Sequence, residues 1–370
     1  MKRPSRIPLA LATTLLSFGL VSPVAAATAA PAPAGSTTST QRDLVEIPAK
    51  DALERAVAPS ECSPTLLDAY VDQLFADMTD EQFAFLVAHQ DTLLDVPTYD
   101  ALLLGTAGDR DYALESQAHQ LQNTFRDLRR FWTDVESDDI QLLAMHGDML
   151  LDADRIAAAL TAMVEYGVIA PMSPAAIEKE ATTVASFMQE QGDFHDNPLW
   201  TLNAFAFSGE GDPDPAVAAL PDKLVFGDGI LEAYESIGLG DVGPRVIMAH
   251  EFAHHVQYEL GTFDTGPADP AEATRRTELM ADAMAAYYGV HKKGLAFNKK
   301  RVVDALLSFY TVGDCQYASP GHHGTPLQRQ RAADWGADLA SAAKPRSFVL
   351  PAATVADRFD AALPGIVAGR

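Results

Sequence analysis

The stretch VIMAHEFAHHVQYEL, residues 246–260, decides the reading of this chain. It sets His250, Glu251, His254 and His255 within an otherwise apolar run. Burying polar side chains without partners is costly, so the stretch demands partners. Pro244 after Gly243 marks a helix start and Gly261 follows the last turn, which predicts a helix over about 244–260. On a helix, residues four apart share a face one turn apart. His250 and His254 therefore present two imidazoles to one metal ion. Glu251, beside the first, reaches a water on that ion. This is the HExxH arrangement of zinc hydrolases. His255 points about 100° away from His254 and reads as a hydrogen-bonded structural residue.

A catalytic zinc takes three protein ligands and keeps an open position. The metzincin continuation fails, because Gln257 stands where a glycine is required and Leu260 where the third histidine is required. The segment RTELMADAMAAYYG, residues 276–289, supplies the missing ligand. Glu278 lies 24 residues after His254, on a helix started by Asp269, Pro270 and a capping-box Glu272 and ended by Gly289. Asp282, one turn beyond Glu278 on the same face, is placed to accept a hydrogen bond from a ligand imidazole. One such ligand set implies one Zn2+ per chain.

HEFAHHVQ followed by ELMAD resembles the gluzincin group of zinc metallopeptidases, and is most similar to the neutral zinc metallopeptidase family of bacteria. HGTPLQR, residues 323–329, resembles a late segment of that family, and the similarity runs over roughly residues 222–335. The resemblance implies an α+β, predominantly helical fold, with a zincin-like catalytic domain holding a short sheet and the HExxH helix. It implies His250, His254 and Glu278 as zinc ligands, Glu251 as general base and Asp282 behind the ligands. The partner is then a peptide or protein substrate. Hydrolysis also needs a donor for the developing oxyanion. His323 and Arg329 are the candidates, with Tyr287 or Tyr288 behind them. KLVFGDGIL, residues 223–231, contains a strand read either as an edge for an extended peptide or as a core strand.

Upstream, MKRPSR, an apolar run and SPVAAATAA have the layout of a secretory signal peptide over residues 1–26. Residues 27–60 read as an Ala/Pro/Ser/Thr-rich linker, 61–207 as a helical N-terminal region and 208–370 as the metallopeptidase domain. The chain is expected to be secreted, without stable membrane insertion after signal removal. The chain carries a formal charge of -24, and loss of Lys2, Arg3 and Arg6 with the signal makes it -27. Such acidity excludes nucleic acid and anionic lipid as natural partners. Cys62 and Cys315, the only cysteines, would face an oxidising compartment as one disulfide or as two buried thiols. The competing reading is a non-catalytic exported zinc-binding scaffold or interaction protein. The presence of Glu251, and three ligands rather than the four of a structural site, favours the enzyme.

Overall fold

Residues 44–45, 64–314 and 322–368 are described in the computed structural model of the chain. The expected signal peptide, most of the linker and both cysteines lie outside them. The described chain opens with α1 (Leu66–Asp77), α2 (Asp80–Ala88), α3 (Gln90–Leu103), α4 (Ala118–Phe131) and β1 (Gln141–Met145). Next come α5 (Ala153–Glu165), α6 (Pro174–Glu190), β2 (Ala204–Phe207), the one-turn α7 (Pro215–Ala218), β3 (Lys223–Gly227) and α8 (Asp228–Ser236). α9 (Gly243–Glu259), α10 (Pro270–Val290), α11 (Lys299–Thr311), α12 (Pro326–Ala342) and α13 (Ala352–Val367) complete it. The fold is α+β and predominantly helical. Among the described residues no helix is long and apolar enough to cross a membrane.

The sheet has the order β1-β3-β2. β3 runs parallel to β1, pairing Gln141 with Lys223, and antiparallel to β2, pairing Ala204 with Phe226. Leu224, Val225 and Phe226 are fully buried, as the near-continuous apolar run of a central strand requires. KLVFGDGIL thus supplies the middle strand, and β1 and β2 are the two edges. The expected boundary at residue 208 falls between β2 and β3, so the sheet draws strands from both sides of it. Lys223, the one cation in β3, is itself buried. Its ammonium donates to the carbonyls of Leu102 (2.5 Å) and Gly105 (2.7 Å), which satisfies the open C-terminal end of α3. Burial holds its pKa down to about 8.

Local chemistry sets the helices that matter for the site. Pro244 occupies the first turn of α9, and Gly261 follows it in the left-handed region at φ 63°. Asp269 caps α10 by accepting from the Glu272 amide at 3.0 Å. The reciprocal arm of that capping box is not made, and Glu272 pairs with Arg275 instead. Thr325 and Gln328 form a complete capping box on α12. Arg276 fixes the connection between α9 and α10 by donating to the carbonyls of Thr262 (3.1 Å) and Thr265 (2.6 Å).

α10 lies between α9 and α12. Its approach to α12 depends on Gly336, where a Cβ would come within 2.0 Å of Ala283 O. Gly336→Ala adds helix propensity of about 1 kcal/mol. Overpacking against backbone costs about 1–3 kcal/mol and wins. The variant is expected to unfold at lower urea concentration than wild type. Equal or greater stability would contradict the close contact.

Candidate metal centre

α9 and α10 face each other with the histidines on one and the acids on the other. His254 Nε2 lies 3.0 Å from Glu278 Oε1, His250 Nε2 lies 3.3 Å from Glu278 Oε2, and the two Nε2 atoms are 3.0 Å apart. A tetrahedral ion with ligands at about 2.0–2.1 Å spaces its donors about 3.3 Å apart. The three side chains are therefore already at the spacing an ion would impose. Two imidazoles and one carboxylate are also the donor set of an open, three-ligand site. His250, His254 and Glu278 can hold a metal ion.

Each ligand histidine is held from behind. His250 Nδ1 lies 2.9 Å from Asp282 Oδ1, close enough for an ion contact but off the axis of a straight hydrogen bond. Asp282 is fully buried and is gripped by Arg329, whose Nε and Nη2 donate to its two oxygens at 2.8 and 2.7 Å. His254 is held by Gln257, a residue whose role sequence reasoning missed. Gln257 Nε2 donates to the Thr277 carbonyl at 2.8 Å, so its Oε1 must be the end that accepts from His254 Nδ1 at 2.9 Å. That fixes the proton on Nδ1 and leaves Nε2 free for an ion. The signal was the three-residue spacing from His254, which puts both on one helix face.

The electrostatics follow from these contacts. Burial alone would raise the Glu278 pKa, but the two imidazoles outweigh it and hold the carboxyl well below its usual range. Burial would lower His250, yet Asp282 and Glu278 lift it to about 10. Without an ion His250 thus carries a proton at neutral pH that an ion must displace, so metal occupancy rises with pH. Glu251 is buried beside the cluster, and burial first, with the Glu278 charge, raises its pKa against the pull of both histidines.

His250, Glu251, His254 and Glu278, together with Arg329 and His323, line one cavity of about 410 Å3. His323 is placed by Asp314, which accepts from its backbone amide at 2.8 Å and lies 3.3 Å from its Nδ1. Arg329, expected as an oxyanion donor, has its guanidinium committed to Asp282 and lies 3.4 Å from Glu278 Oε2. Its place is behind the ligands. Tyr287 and Tyr288 pack against Phe131 in the core and do not line the cavity, whereas Tyr234 and Tyr258 do. Of the expected linker only Leu44 and Val45 are described, and both line this cavity. His255 is hydrogen-bonded, as expected, to the Glu136 carbonyl at 2.7 Å.

Comparison with family models, with curated proteins and with solved structures returns no match for this chain.

Gln257→Leu keeps the side chain near its volume and removes the group that orients His254. Loss of such an outer partner typically weakens metal affinity about 10–100-fold. Chelator competition on the folded variant measures this, and wild-type affinity would contradict the role given to Gln257.

Proposed function

We propose that the protein is an exported zinc-dependent peptidase of zincin-like fold, related to the gluzincins. The observation that carries the reading is the convergence of His250, His254 and Glu278 at 3.0–3.3 Å on the wall of a cavity that Glu251 also lines. Charge supports a divalent ion. Glu251, Glu278 and Asp282 carry three negative charges when ionised, and Arg329 supplies one positive charge. A divalent cation brings this buried set to neutrality, as a low-dielectric site requires. The N-terminal signal layout supports export.

Bound by these ligands, zinc supplies a Lewis acid and brings the pKa of water toward neutrality. Glu251 takes the proton released by the attacking water and passes it to the departing amine. Burial raises its proton affinity, which suits a group that must accept and then return a proton. Asp282, braced by Arg329, and Gln257, braced by the Thr277 carbonyl, keep the two imidazoles aimed while charge moves. His323, held by Asp314, is the donor on this cavity assigned to the developing oxyanion.

The cavity wall suits a peptide. β2 is one of the two sheet edges, and Ala204, Phe205 and Ala206 line the cavity, so main-chain groups of an extended segment can add beside it. Ile230, Val246 and Phe309 present apolar surface to its side chains.

Glu251→Gln preserves size and removes the base. The variant is expected to fold and hold zinc as wild type does, and to cleave a peptide library about 10²–10⁴-fold more slowly. Equal cleavage by both proteins would overturn the mechanism. Zinc binding by both with no cleavage by either would favour a scaffold.

A further inference from the structure

His255 adjoins the ligand His254 but projects to the other side of α9. Its side chain is 2 % exposed. Nε2 lies 2.7 Å from the Glu136 carbonyl oxygen, which only accepts, so Nε2 carries a proton. Nδ1 lies 3.0 Å from Asp222 Oδ2. Asp222 immediately precedes β3, and its carbonyl accepts from the Gln141 amide at 2.8 Å at the start of β1. Asp139 stands two residues before β1. Parallel pairing of β1 with β3 therefore brings the two aspartates together. One donor atom each from Asp139, Asp222 and His255 lies within 4.8 Å of the others.

Three elements thus aim one donor each at a common point. Among the described residues no lysine or arginine forms an ion pair with Asp139 or Asp222. Glu259, one turn beyond His255, adds to the negative charge. Burial, together with the charges of Glu210, Asp222 and Asp139, holds its carboxyl above the usual range against the pull of His255.

From this geometry we propose a second cation site, in which Asp139, Asp222 and His255 hold a divalent transition-metal ion such as zinc. An imidazole nitrogen with two carboxylates suits zinc or manganese, whereas calcium prefers an all-oxygen set. The carbonyl-held Nε2–H leaves Nδ1 as the donor, the arrangement that outer hydrogen bonds impose on ligand histidines. Asp139 is exposed, so the ion enters from solvent and completes its shell with water. The ion ties the beginnings of β1 and β3 to the back of the helix that carries His250 and His254. Sequence spacing did not reveal this group, because its members come from distant parts of the chain.

Isothermal titration of the metal-stripped full chain with Zn2+ tests the proposal, using wild type, Asp139→Asn, Glu278→Ala and the variant that combines both substitutions. Asp139 is exposed, so its replacement leaves the core intact. Wild type is expected to take up about two equivalents, each single variant about one, and the double variant none. Loss of one equivalent in Asp139→Asn with no loss in Glu278→Ala would support the second site and place the fault with the first. The same number bound by wild type and Asp139→Asn would overturn the proposal, leaving His255 and Asp222 as an ion pair.

Discussion

The carboxylate of Glu278, largely buried between the imidazoles of His250 and His254, is the interaction on which the rest of the structure depends. A buried carboxylate is tolerated only where charge and hydrogen bonding answer it. Here the answer comes from three helices. α9 brings the imidazoles, α10 brings Glu278 and Asp282, and α12 brings Arg329 to hold Asp282. The missing Cβ at Gly336 lets α12 approach α10 closely. The central strand β3 and the edge strand β2 place the cavity wall beside α9.

The arrangement separates two tasks. Outer groups fix orientation: Gln257 sets the tautomer of His254, and Asp282 faces Nδ1 of His250. Glu251 makes none of these contacts and stays on the cavity wall, where the proposed mechanism has it exchange a proton. A side chain that both oriented a ligand and moved protons would disturb the site at each transfer. The separation explains why an apolar helix tolerates so many polar residues. His250 and Gln257 find partners on α10, and His255 finds one in the Glu136 carbonyl.

Much of this was legible in the sequence because helices announce their ends. Pro244 with Gly261, and Asp269 and Pro270 with Gly289, bounded α9 and α10 to within about two residues. Four-residue spacings placed His250 with His254 and Glu278 with Asp282. What depended on distant pairing was not legible. β1 and β2 are short and gain their definition only by flanking β3. Arg329 sat in a quotable motif, but its bond to Asp282 follows from helix packing. Tyr287 and Tyr288 adjoin a functional helix segment, yet their faces turn into the core against Phe131. Asp139 and Asp222 meet only because their strands run in parallel.

Diffraction from crystals of the zinc-loaded protein, recorded on both sides of the zinc absorption edge, tests the central claim most directly. The account predicts an anomalous peak about 2.0–2.1 Å from His250 Nε2, His254 Nε2 and a Glu278 carboxylate oxygen, with one position left to solvent. A peak absent from that point, or one completed by a fourth protein ligand, would contradict it.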